Sequence, residues 1–136
     1  MKLLIWQDTD SVGVKELDNQ HQEIFSISNR LYDLINQSQK KEDFIAVLNE
    51  LNNHVSQHFS TEEKYFDLYQ YDQGIFHTKL HQFYSQRMDD FLKKIEENFT
   101  PDLILEMTNF MKIWWINHID IEDKKYSQYF NQQGLY

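Results

Sequence analysis

Cysteine is absent from the 136-residue chain, proline occurs once and glycine three times. The missing thiols exclude disulfides, thiolate zinc sites, cysteine-ligated iron–sulfur clusters and cysteine nucleophiles together. Any metal chemistry therefore falls to histidine and carboxylate. Basic residues are also scarce: 13 Lys and Arg face 22 Asp and Glu, a net charge of −9, which repels a phosphate backbone or an anionic membrane surface. This argues against nucleic acid as a partner. Long apolar runs are lacking too. After Lys2 only Leu3-Leu4-Ile5-Trp6 precede Gln7-Asp8, too short for a signal-peptide core, and nothing later approaches a membrane span. The expectation is a cytoplasmic protein without membrane insertion, folded as a single domain over residues 1–136 with a core of its own.

With so few chain breakers, and polar stretches rich in Gln, Asn, Glu and Lys, the composition favours helix over sheet. Four stripes at three- and four-residue spacing bear this out. The first, after Asp18 as a candidate N-cap, runs through His21, Ile24, Phe25, Ser28, Leu31 and Ile35. A polar break at Gln37-Ser38-Gln39-Lys40-Lys41 precedes the second, of Phe44, Leu48, Leu51, Val55, His58, Glu62 and Phe66. Tyr69 to Gly74 reads as a turn, and the third stripe is His77, Leu80, His81, Tyr84, Met88, Phe91 and Ile95. Thr100-Pro101 pairs an N-cap residue with proline at the first helical position, opening a fourth stripe of Leu103, Met107, Phe110, Met111, Trp114 and His118. Each stripe needs the others to cover it. The expected fold is all-α, an antiparallel up-down four-helix bundle with an N-terminal arm.

Five of the six histidines lie within these apolar stripes. A lone histidine there is ordinarily a core residue satisfied by a hydrogen bond; the spacing says more. His58 and Glu62 are four apart on one helix and His77 and His81 four apart on the next, so each pair projects from one face a turn apart. His118 and Asp123 are five apart, too far round for a regular helix, which predicts a loosened backbone after His118 that swings Asp123 back to the site. His21 adds a fifth imidazole from the first helix. In antiparallel packing all seven side chains reach a common level. Imidazole with some carboxylate suits iron, zinc, copper or nickel better than calcium or magnesium, and seven ligands suit two six-coordinate ions spanned by the carboxylates.

His21, His58-Phe-Ser-Thr-Glu62, His77-x-x-x-His81 and Trp114-x-x-x-His118-Ile-x-x-x-Asp123 together resemble the hemerythrin pattern, specifically that of single-domain bacterial hemerythrins. The resemblance runs from Trp6 to about Tyr126. It implies a non-haem di-iron centre with an oxo or hydroxo bridge, in which His77, His81 and His118 bind one iron and His21 and His58 the other. Glu62 and Asp123 bridge, and dioxygen binds reversibly at the second iron's open position, for storage, delivery or sensing. Nitric oxide is a second candidate ligand, and the protein partner is left unknown. No acid, base or nucleophile for turnover accompanies the ligands, which favours a carrier over an enzyme. A ferritin-like oxidase or peroxidase would need Glu-x-x-His motifs, and none occurs; an iron-responsive regulatory module is the remaining alternative.

Two positions depart from the family pattern. Tyr71-Asp72 stands where Tyr-Pro is usual, which implies a local change in the turn. Trp115 stands where a leucine usually lines the dioxygen pocket, and the reading favoured is that its ring folds over the pocket mouth. His54, four residues before His58, is expected on the helix margin, and Glu63 and Asp120 are expected to point into solvent.

Overall fold

The computed structural model describes residues 1–38 and 40–136; Gln39, within the polar break, lies outside the described residues. Helix α1 spans Lys15–Gln37, α2 Lys41–Leu68, α3 Gly74–Glu97 and α4 Pro101–Asn117. Their partners show the topology. Glu16 meets Tyr65, Gln20 meets Thr61 and Arg30 meets Glu50, so positions on α1 rise as those on α2 fall. Phe66 packs on His77 and Phe59 on Tyr84, while His77 faces His118 and Phe91 faces Phe110. Successive helices are therefore antiparallel, as the stripes require.

The first three stripes are buried as expected, apart from half-exposed Leu80 and Ile35. The fourth is turned by one position: Ile104, Met107, Thr108, Met111 and Trp115 are buried, whereas Leu103, Phe110 and Trp114 are half-buried. The helix start is as predicted, with Thr100 Oγ1 accepting the Leu103 amide at 3.2 Å and Pro101 following.

Asp18 is not an N-cap. Helix α1 begins three residues earlier, and the Asp18 carboxylate accepts the Val12 amide at 2.8 Å and the Ser11 hydroxyl. It thereby holds the N-terminal arm, whose Leu3, Leu4, Val12 and Val14 are buried in the core. Asn29 clamps the arm further, its side-chain amide pairing with both the N–H and the C=O of Leu4 at 2.8 Å. The arm turns into α1 at Gly13, where φ is +72° and a Cβ would lie 2.9 Å from Ser127 Oγ. Only glycine meets both demands without strain.

Beyond α4 the backbone widens into a π-helical segment, His118–Asp123, and then resumes as α5, Lys124–Gln132. The loosening expected after His118 is thus a change of helical pitch: bonds from i to i+5 bring residues five apart onto one face. Helix α5 carries buried Tyr126 and Phe130 back over the ends of α2 and α3.

Candidate metal centre

The seven predicted residues His21, His58, Glu62, His77, His81, His118 and Asp123 converge in one buried cluster, each at most 4 % exposed. Asp123 Oδ1 lies 2.9 Å from His77 Nε2 and 3.0 Å from His118 Nε2, and its Oδ2 is 3.0 Å from His21 Nε2. Glu62 Oε1 lies 3.0 Å from His81 Nε2, 3.4 Å from His58 Nε2 and 3.8 Å from His77 Nε2. His77 and His118 also face each other Nε2 to Nε2 at 3.0 Å. Donor atoms of Glu62, His77, His81 and His118 lie within 4.8 Å of one another, as do those of His21, His58, Glu62 and Asp123.

The His77–His118 pair is aligned as a hydrogen bond, whereas the histidine–carboxylate approaches are close but are not. Among the described residues, Nε2 of His21, His58 and His81, Oε1 of Glu62 and both oxygens of Asp123 are buried without a hydrogen-bond partner. Orphaned polar atoms in a dry interior cost several kcal/mol each, roughly 2–7, so a set of six calls for another occupant. Two neighbouring groups of nitrogen and carboxylate lone pairs, sharing Glu62, fit a pair of transition-metal ions.

The electrostatics of His58 and the two acids agree. Burial pushes the His58 imidazole down to about 3 despite the neighbouring Glu62, leaving it neutral and able to donate a lone pair. Burial and the charge of Asp123 oppose ionisation of Glu62, but His58 and His81 outweigh them and hold it at about 2. Asp123 is likewise held well below the usual carboxylate range, burial being overcome by His118, His21 and His77. Both acids are therefore anionic and able to donate to a metal ion.

Aromatic rings fix the imidazoles. Phe59 stacks on His81 at 3.8 Å between centroids, and Trp114 on His118 at 4.2 Å. Trp115 is fully buried, with its ring centroid 6.2 Å from that of His21 and 6.1 Å from that of His58. It does not fold over an open mouth. Its Nε1–H donates to the Tyr84 hydroxyl at 3.1 Å deep in the core, which draws the indole inward and makes it an internal wall.

His54 is half-buried on the margin of α2 and belongs to neither donor group. Asp120 is exposed, as expected, beside Lys124. Glu63 is not simply solvated: its Oε2 lies 2.7 Å from His81 Nδ1, because α3 packs against the flank of α2 from which Glu63 projects. Two further residues escaped the sequence reading. Gln20 Oε1 lies 2.7 Å from His58 Nδ1, and the Tyr126 hydroxyl donates to Glu62 Oε2. Burial and the two carboxylates push the Tyr126 phenol well above its ordinary range, so it stays a donor. The Ile119, Asp123, Tyr126, Phe130 spacing was a signal for Tyr126; nothing local marks Gln20.

The family model described as the hemerythrin HHE cation binding domain matches residues 12–130. Bacteriohemerythrin of Clostridium acetobutylicum is 27 % identical over 127 residues, covering 91 % of this chain and 98 % of that protein. Bacteriohemerythrin of Pseudomonas aeruginosa is 30 % identical over 127 residues, covering 93 % and 80 %. A wild-type hemerythrin crystal structure superposes with a TM-score of 0.83 at 26 % identity, covering 93 % of this chain and 96 % of the other. With the fold, the buried donor cluster and the family match in agreement, the chain belongs to the hemerythrin family and carries a metal-binding site of that type.

Proposed function

We propose that the seven clustered side chains hold two iron ions joined by an oxo or hydroxo bridge, and that the chain binds dioxygen there reversibly, as a carrier or sensor and not as an enzyme. The observation that carries this is the pair of buried donor groups sharing Glu62, five imidazoles to two carboxylates. When bound, two ferrous ions would supply the two electrons and the free coordination position that dioxygen requires.

The chain's own residues account for the rest. Three imidazoles, of His77, His81 and His118, serve one position, and two, of His21 and His58, serve the other, so the second has room for a small ligand. That ligand would lie beside Trp115, whose N–H is committed to Tyr84; the indole offers it carbon and no proton. Phe59 and Trp115 stack at 5.8 Å and keep this side dry, which strengthens electrostatic contacts and withholds the water that would drive irreversible oxidation. Tyr126 steadies Glu62 through its hydroxyl. Nitric oxide is small enough to compete for the same position.

One domain over residues 1–136 and a cytoplasmic setting belong to this proposal. The structure contributes that no described helix is long and apolar enough to cross a membrane. The deciding experiment is metal analysis with optical and resonance Raman spectra of the reduced protein, before and after air. Two irons per chain, with a visible band and an oxygen-isotope-sensitive vibration that vanish under argon, are expected. One zinc per chain, or a spectrum that changes irreversibly, would overturn the reading.

A further inference from the structure

The outer nitrogens of the clustered imidazoles have unequal partners. His81 Nδ1 faces the Glu63 carboxylate at 2.7 Å, His58 Nδ1 faces the Gln20 amide oxygen at 2.7 Å, and His21 Nδ1 is buried with no partner among the described residues. The orientation of Gln20 is set by its other end. Thr61 spends its single hydroxyl hydrogen on the Gln57 carbonyl at 2.9 Å, so it can only accept from Gln20 Nε2, at 3.1 Å. The amide oxygen must then face His58, and His58 Nδ1 must carry the hydrogen. Glu63, an acceptor when ionised, imposes the same tautomer on His81. With an ion bound, both rings thus turn an Nε2 lone pair inward, held there by partners of different charge. Donating to a carboxylate gives an imidazole part of the character of its anion and makes it a stronger ligand; donating to a neutral amide does so less.

We propose that Glu63 and Gln20 make the two metal positions unequal. Glu63, acting through His81, binds the ion of the His77, His81 and His118 group more tightly and lowers its reduction potential. Gln20 and the unpartnered His21 leave the other ion more weakly held and more electrophilic, which is where a ligand entering beside Trp115 would arrive. Glu63 and Gln20 are positioning residues in this scheme, since neither reaches the inward-facing nitrogens. The inference rests on the two-ion reading above.

The test loads the full-length chain with two cobalt(II) ions and follows their release to excess chelator by visible absorption. The parent should lose them in two phases. Glu63→Gln, isosteric at a partly exposed position, should speed the slow phase by about tenfold or more, the usual consequence of removing such a partner, with the fast phase within about twofold. Gln20→Glu should slow the fast phase by a like factor. Asp120→Asn, which removes a nearby charge that touches no imidazole, should leave both phases within about twofold. In iron-loaded protein Glu63→Gln should raise the potential of one couple and not the other. Unchanged release from Glu63→Gln with two ions bound would overturn this proposal alone, as would an equal effect from Asp120→Asn. A chain that takes up a single cobalt ion would overturn the two-ion reading and this inference with it.

Discussion

Replacing Trp115 by leucine separates packing from site chemistry, because the indole does two things at once. It fills core volume at full burial and its N–H satisfies Tyr84. Leucine would remove roughly 60 Å³, which at about 24 cal/mol per Å³ of residual cavity costs about 1.5 kcal/mol if the surroundings do not collapse. Loss of the hydrogen bond adds about 1 kcal/mol. Tyr84 cannot offset this by ionising, because burial holds its phenol well above the ordinary range. Urea unfolding of the metal-loaded variant should therefore show a loss of about 2–3 kcal/mol. The void opens beside His21 and His58, so water and dioxygen both gain access. The variant should keep both ions and bind dioxygen faster, and in air it should pass irreversibly to the oxidised form sooner. Stopped-flow mixing with dioxygen, followed by the decay of the visible band, measures both. A variant that loses under 1 kcal/mol and decays at the parent's rate would show that Trp115 neither fills the core nor guards the site.

Four further outcomes follow from the same geometry. His77→Ala and Glu62→Ala should each lower the metal content sharply, and stripping the metal from the parent should lower its melting temperature, since six buried donors then lose their occupant; calorimetry and elemental analysis check both. Inserting one alanine between Asp120 and Ile121 turns Asp123 about 100° from the site, so the insertion should lose metal, and a variant that keeps two ions would show that the π-helical register does not aim Asp123. His54→Ala should retain both ions, because His54 lies in neither donor group; loss of one would make it a ligand. The metal-free chain should be most stable near neutral pH. His58, lowered to about 3, takes up a proton in the unfolded chain below about 6.5, before it does so in the folded one, and Glu62, lowered to about 2, adds a further loss below its ordinary 4.5. His81 is lowered by burial but raised more by Glu62 and Glu63, to about 9. Its contribution is full below about 6.5 and is lost as pH rises through 9. Urea midpoints at acid, neutral and alkaline pH should therefore peak in the middle, and a monotonic trend would refute the assignment.

The bundle was legible because its signals are local and repeated. Phe44, Leu48, Leu51 and Val55 mark α2 by spacing alone, and Thr100-Pro101 marks the start of α4 by the chemistry of a helix N-terminus. The misjudged features depend on tertiary contacts. Asp18 has the composition of a cap, but the Val12 amide and the Ser11 hydroxyl claim it once the arm folds back. Trp114 and Trp115 are indistinguishable by residue type; the buried face of α4 runs through Ile104, Thr108, Met111 and Trp115, and the Trp115 N–H finds its partner in the distant Tyr84 hydroxyl.

The candidate centre divides in the same way, along a line drawn by helical geometry. Residues that face the cluster must share a face with one another, so His58 with Glu62 and His77 with His81 announce themselves four apart. His118 with Asp123 announces a π-helical turn by being five apart. Residues behind the imidazoles carry no such constraint. Glu63 follows Glu62 directly, about 100° around the helix, and spacing alone consigns it to solvent, until α3 brings His81 Nδ1 to within 2.7 Å. Gln20 precedes His21 and serves not His21 but His58 on another helix. An imidazole has two ring nitrogens whose in-plane directions diverge widely, so if one turns inward the other points away, toward whichever neighbouring helix is there. The inward set is therefore fixed by spacing within helices, and the outward set by the packing register between them. The outward set is where members of one family could differ in metal affinity and potential while keeping the same seven inward residues.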